Sequence, residues 1–210
     1  MSDVADGGGN GVPRETLGDL NAAVLGVQRG DEAAFRVVYR SLNPELLRYA
    51  AVIVGQDAED VVAETWLQIA RDVLRFRGDG AAFRRFALAV TRNRARDVLR
   101  RRKRRVQEIT VPTEELPEPR AAGAPGGAVA PDTAEVAGAE LSTREIVSLI
   151  ATLPGPQAEA VLLRVVLDLD TRSTAEILGK RPGAVAMALS RGLKKLARLV
   201  ERPEATAVRR

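Results

Sequence analysis

At 210 residues the chain can hold one domain or two small ones joined by a linker. It has neither cysteine nor histidine, which excludes disulfides, thiol chemistry, the usual zinc sites and the commonest general base. The net charge of +4 conceals a segregation: residues 1–70 carry 5 basic and 11 acidic side chains, 71–105 carry 14 and 3, 106–141 carry 1 and 7, and 142–210 carry 12 and 7.

Two basic blocks alternating with two acidic ones suit a polyanionic partner touched at two places. Aromatic residues are few, and alanine, leucine, valine and arginine dominate. That composition favours small helical modules over β-sandwiches.

Residues 1–15 are rich in Gly and Asp, lack a periodic apolar pattern and read as a disordered tail. The start MSDVADGGGNGVPRE has no basic head or apolar core of a signal peptide, and no apolar run is long enough to cross a bilayer. The expectation is a soluble cytoplasmic protein without membrane insertion. Thr16 can cap a first helix carrying Leu17, Leu20, Val24 and Val27, stopped by Gly30. Asp31 can cap the next, with Phe35, Val38 and Tyr39 inward, and Asn43-Pro44 predicts a break before a third helix to Val54.

Asp57 is placed to cap DAEDVVAETWLQIARDVLRF, in which Val62, Trp66, Ile69 and Val73 form one buried stripe. After the break RGDG a fifth helix starts near Ala81, with Phe83, Phe86, Ala87 and Val90 on its apolar side. It runs into RNRARDVLRRRKRR (92–105), in which nine of fourteen residues are basic. Residues 106–141, with five prolines and four glycines between 111 and 140, cannot bury enough surface to offset chain entropy and read as a flexible acidic linker. Ser142-Thr143-Arg144-Glu145 fits a capping box that opens a second helical unit. Pro154-Gly155-Pro156 separates two of its helices. A helix, a turn centred on Gly179 and a further helix with Pro182 near its first position then make a helix-turn-helix. The unit ends near residue 200, before a tail of 201–210.

Asp57, Asp60 and Glu64 share a face. That face suits a solvated helix start, a metal or acid–base cluster, or a dock for a basic partner. Trp66 lies on an apolar stripe, as a core anchor does. The basic run is either a solvated helix end or a phosphate grip, and the helix-turn-helix either a DNA reader or a structural hairpin. No constellation for catalysis emerges, so the chain is not read as an enzyme and no cofactor or metal is expected.

Taken in order, these segments resemble a sigma factor of bacterial RNA polymerase from the small extracytoplasmic-function group. DAEDVVAETWLQIA is similar to that family's D-A-E-D-L-V-Q-E-T-F-L-x-A-W helix, and FRRFALAVTRNRARDVLRR to F-R-A-W-L-x-x-I-A-R-N-x-x-x-D-x-L-R-R. LPGPQAEAVLLRVV resembles the opening of the family's second domain, with Ala158 or Glu159 where basic residues are common. The resemblance implies an all-α chain of two small helical domains, sigma region 2 over 16–105 and helix-turn-helix region 4 over 142–200, on the flexible linker. It implies docking on core RNA polymerase through Asp60 and Glu64, with Ala63 where the family has a hydrogen-bonding Gln. It implies capture of the promoter −10 element by Phe76, Arg77, Gly78 and Asp79 in the loop 76–82, and by Arg92, Asn93, Arg96 and Arg100. For the −35 element it leaves Arg172, Lys180, Arg181, Arg191, Lys194 and Lys195.

Two departures matter. Ser173 and Thr174 stand where Glu and Ile are usual, and the recognition helix reads Arg181-Pro182-Gly183-Ala184-Val185-Ala186-Met187-Ala188-Leu189. Alanine offers a base no more than contact with a thymine methyl, so −35 readout is expected to be weak, unusual or assisted by another protein. The family also implies an anti-sigma partner. The alternatives are a sigma-derived regulator or decoy that binds protein or DNA without initiating transcription.

Overall fold

The computed structural model of the chain describes residues 14–109 and 143–200. Of the expected tail 1–15 and linker 106–141, residues 14–15 and 106–109 belong instead to helices; the rest, with the tail 201–210 and the Ser142 cap, lies outside the described residues. Every regular element among the described residues is helical.

The first unit comprises α1 (Arg14–Gln28), α2 (Glu32–Val54), α3 (Ala58–Asp72) and α4 (Gly80–Ile109). Leu20, Val24 and Val27 are buried along α1, and Gly30 closes it with a φ of 85°. Asp31 caps α2 as anticipated, its Oδ1 accepting from the N–H groups of Ala33 and Ala34.

The break expected at Asn43-Pro44 does not occur, for Pro44 sits inside a single helix of 23 residues. Leu42, Leu46, Tyr49 and Ala50 are buried on either side of it, and that burial offsets the backbone hydrogen bond Pro44 cannot make. Asn43 serves packing instead, since its Oδ1 accepts the Trp66 indole N–H at 2.9 Å. Trp66 is the anchor its position suggests, with ring centroids 5.8 Å from Phe35 and 4.9 Å from Tyr39. Val62, Trp66, Ile69 and Val73 are all buried.

Asp57 precedes α3 without capping it through its side chain. It belongs to the 3-10 turn Gly55–Asp57, and its carboxylate pairs with Arg102 on α4. A cation on the neighbouring helix has outcompeted the local N–H groups.

The second unit holds α5 (Thr143–Ala151), α6 (Gly155–Val161) with a π-type continuation Leu162–Val166, α7 (Thr171–Leu178) and α8 (Pro182–Val200). Asp170 caps α7 by accepting from the Ser173 N–H at 2.9 Å and its hydroxyl at 2.6 Å. These bonds, side chain first, hold the Asp170 carboxyl below the usual carboxylate range. Gly179 takes the left-handed conformation, with φ 59° and ψ 41°, which a residue with a Cβ adopts at a cost. It turns the chain into α8, which begins at Pro182.

The units pack on each other. Buried apolar residues form one cluster from Leu20 to Val185, with α5 and α6 set against α2, and α7 against α4. No helix among the described residues is long and apolar enough to cross a membrane.

Candidate nucleic-acid interface

The site is built on α4. Its inward stripe carries Phe83, Ala87, Leu88 and Ala95, each fully buried. Val98 is half-buried, Leu99 is exposed, and Arg100 through Arg105 are all exposed. Asn93 and Arg96 are exposed as well, so an outward track of Asn93, Arg96 and Arg100 leads into the cationic end of the helix. Two cross-links fix its direction. Arg94 donates to Gln68 Oε1 of α3 at 2.6 Å, and Arg102 pairs with Asp57. Gln56, Asp57, Val98, Arg101, Arg102 and Arg105 line an open cleft beside this end, with three guanidinium groups against one carboxylate.

The loop before α4 is tied down rather than loose. Gln28 of α1 donates from Nε2 to the carbonyls of Val73, at 3.2 Å, and Phe76, at 2.7 Å. Asn21 accepts from the Gly80 N–H. A Cβ on Gly80 would lie 2.9 Å from the Asn21 backbone nitrogen, so only glycine allows this approach. Phe76 is half-buried, with ring centroids 5.0 Å from Phe83 and 5.6 Å from Phe86. It anchors the loop from within. Arg77 is exposed, donating to the Leu74 and Phe76 carbonyls. Gly78 takes a φ of 149°, and Asp79 accepts from the Ala82 N–H at 2.7 Å at the start of α4.

Arg92 departs from the expected exposed track. Its side chain is 8% exposed and its Nε donates to Glu159 Oε1 of α6 at 2.7 Å. The same carboxylate oxygen accepts the Tyr49 hydroxyl at 2.8 Å. Burial first, and the Glu159 charge second, push the Tyr49 phenol well above its ordinary range. Two turns earlier on the same stripe, Arg84 donates to both Glu45 oxygens at 2.7 and 3.0 Å and to the carbonyl of Leu167. That carbonyl sits just past a helix end, where backbone acceptors lack intrahelical donors. Arg85 and Glu176 of α7 add a looser pair at 3.4 Å.

Sequence reasoning missed Glu45, Tyr49, Arg84 and Glu159, as well as the loop holders Asn21 and Gln28. A signal was present. Arg84, Leu88 and Arg92 recur every four residues, which puts two cations on an apolar stripe, and Glu159 is one acid within the run AEAVLLRVV.

The remaining expected residues lie at the surface. Asp60 and Glu64 are exposed one turn apart on α3. In the second unit Arg172, Lys180, Arg181, Arg191, Lys194 and Lys195 are exposed, and so are Ala184, Ala186 and Met187 of α8. Exposed cations are suited to phosphates, whereas the small apolar groups between them have no hydrogen bonds to offer a base edge. No group of three or more acidic side chains fit to hold a metal occurs among the described residues.

Known proteins match this arrangement along most of the chain. The family description "Sigma-70 region 2" fits residues 38–105, and "Sigma-70, region 4" fits residues 143–196. The ECF RNA polymerase sigma factor SigD of Mycobacterium tuberculosis is 31% identical over 183 residues, covering 84% of this chain and 82% of that protein. The ECF RNA polymerase sigma factor ShbA of Streptomyces griseus is 28% identical, covering 87% and 95%. Among solved structures, the fold is similar to CnrH in complex with the cytosolic domain of CnrY, with a TM-score of 0.57 and 18% identity over 87% of this chain and 97% of that one. It is also similar to the sigma factor RpoE of Bartonella quintana in complex with the anti-sigma factor NepR, with a TM-score of 0.60 and 20% identity over 80% and 98%.

Proposed function

The chain belongs to the extracytoplasmic-function sigma factors of bacterial RNA polymerase, and from that premise we propose how its surfaces divide the work of promoter-specific transcription initiation. Residues 16–105 dock on core polymerase through the exposed pair Asp60 and Glu64, an acidic face that suits a basic partner. The fixed loop of Phe76, Arg77, Gly78 and Asp79 and the exposed track of Asn93, Arg96 and Arg100 take the melted −10 strand. Single-strand capture needs a cationic path beside a pocket for an unstacked base. Residues 142–200 lie across the −35 element and grip its phosphates through Arg172, Lys180, Arg181, Arg191, Lys194 and Lys195. The residues between them serve as the tether. The chain performs no catalysis of its own and acts on polymerase in the cytoplasm.

One observation carries this reading: the two matched segments fall one within each helical unit, and each unit ends in a long helix with exposed cations. The exposed Ala184, Ala186 and Met187 favour a second unit that positions more than it reads, with −35 selectivity supplied by spacing or by another protein. The proteins of similar fold solved with CnrY and with the anti-sigma factor NepR support an anti-sigma partner here as well. The test is transcription from genomic promoter fragments with purified core polymerase. Transcripts that start only when this chain is added support the proposal. A stable polymerase complex that starts none favours the decoy, and no complex at all rejects it.

A further inference from the structure

The loop of Phe76, Arg77, Gly78 and Asp79 is held at both ends by a single helix that carries none of the capture residues. At its entry from α3, Val73 and Phe76 offer their carbonyls to Gln28 Nε2, at 3.2 and 2.7 Å. At its exit, where α4 begins, Gly80 gives its N–H to Asn21 Oδ1. Asn21 and Gln28 both belong to α1, which precedes the matched segment 38–105. They stand seven positions apart, so they share one face, about 10 Å from each other along the helix axis. We propose that α1 is a ruler for the loop. Asn21 and Gln28 are positioning residues that fix the separation of its two ends, and through it the pocket that takes an unstacked base. The inference rests on the reading of this loop as part of the strand-capture site.

A ruler must itself be firmly seated. Leu20, Ala23, Val24 and Val27 of α1 are all buried, and the helix packs on both α2 and α4. The two amides then use opposite halves of their chemistry. Gln28 donates to carbonyls at and just past the end of α3, where backbone acceptors lack intrahelical donors. Asn21 accepts an N–H at the start of α4, where backbone donors are left over. Water could satisfy the same groups, but it would not fix where they lie. Between the two pinned points only Arg77, Gly78 and Asp79 remain, all exposed. Placement of this kind matters to recognition, because a shift of roughly 1 Å is enough to spoil a positioned contact.

The test exploits the opposite roles of the two amides. Gln28→Glu removes the donor, whereas Asn21→Asp keeps the acceptor, and both add one negative charge at nearly unchanged shape. Asn21→Leu removes the acceptor and adds no charge. Hydrogen exchange of the full chain, followed by mass spectrometry over 73–82, reads the loop without any DNA. Exchange there should be roughly fivefold to tenfold faster in Gln28→Glu and Asn21→Leu, the factor for one lost hydrogen bond, and unchanged in Asn21→Asp. Capture is read with each chain bound to core polymerase, by fluorescence anisotropy of labelled oligo-dT, oligo-dA and oligo-dC against an abasic strand of equal length. The abasic strand reports the phosphate grip, and the excess affinity of the best homopolymer reports the base pocket. That excess should fall by roughly tenfold in Gln28→Glu and Asn21→Leu and stay at the parent's value in Asn21→Asp. Unaltered exchange in the first two variants overturns the proposal, and so does faster exchange with the base excess retained. Equal loss in Asn21→Asp overturns it as well, since charge rather than hydrogen bonding would then be responsible. A parent chain with no base excess sinks the reading of the loop as a capture site, while the exchange data still decide whether α1 fixes the loop.

Discussion

Replacing Glu45 by Gln isolates the value of a buried charge in this fold. The Glu45 and Arg84 side chains are 7% and 8% exposed and share two hydrogen bonds, at 2.7 and 3.0 Å. The amide removes the counter-charge but leaves one acceptor oxygen, and the Leu167 carbonyl still faces Arg84. Breaking a buried pair from one side costs about 3–5 kcal/mol, and the surviving acceptors place this case near about 3 kcal/mol. For a chain of this size each kcal/mol moves the melting temperature by about 2–4 °C, so the midpoint should fall by roughly 6–12 °C. Thermal unfolding followed by far-ultraviolet circular dichroism reads this directly. The informative control is Glu45→Met with Arg84→Met, which removes both charges. It should recover to within about 1 kcal/mol of the parent, the residue being the unpaired Leu167 carbonyl. A single variant within about 0.5 kcal/mol of the parent, or a double variant as unstable as the single one, would refute the reasoning.

Other expectations follow from the same geometry. Asp60→Arg with Glu64→Arg reverses the exposed face of α3 and should abolish co-migration with core polymerase on a native gel, with the melting temperature little changed. Asp170→Ala removes the α7 cap and should cost about 1 kcal/mol in urea unfolding. Because the Asp170 pKa is lowered in the folded chain from 3.8, its contribution is present above that value and is lost as pH falls through the depressed one. The gap between parent and Asp170→Ala should therefore close in acid and not in base. Gly192→Ala would bring a Cβ to 2.7 Å from Val161 Cγ2. The overpacking costs about 1–3 kcal/mol and outweighs the roughly 1 kcal/mol gained in helix propensity, so a lowered midpoint is expected.

The helices were legible wherever a local signal had no competitor. Asp31, Gly30, Gly179 and Pro182 each start or stop an element as their chemistry dictates, and the stripe Val62, Trp66, Ile69, Val73 is buried as its spacing requires. Local reasoning failed where a distant partner decided the outcome. Pro44 breaks nothing because the residues on either side of it are buried. Asp57 does not cap because Arg102, 45 positions away, takes its carboxylate. The candidate site was legible as composition and only partly as geometry. Spacing along α4 groups Arg92 with Asn93 and Arg96, but it carries no information about Glu159, which lies 67 positions further on. A periodic pattern states which residues share a face and is silent on which neighbour arrives there.

The exposed end of α4 responds to ionic strength in two opposite senses. From Arg100 to Arg105 every residue is basic, so like charges meet at i,i+4 spacing in Arg100–Arg104 and Arg101–Arg105, each such pair costing about 0.2–0.5 kcal/mol of helix stability. Added salt screens that repulsion, and the last turns of the free helix become more ordered. The same salt lessens the entropy gained when the arginines displace condensed counterions from the DNA phosphates, and DNA affinity falls. Helix order and nucleic-acid grip at this one end are thus expected to run against each other along a salt titration, and the concentration at which the chain's helix is best formed is not the one at which it holds DNA best.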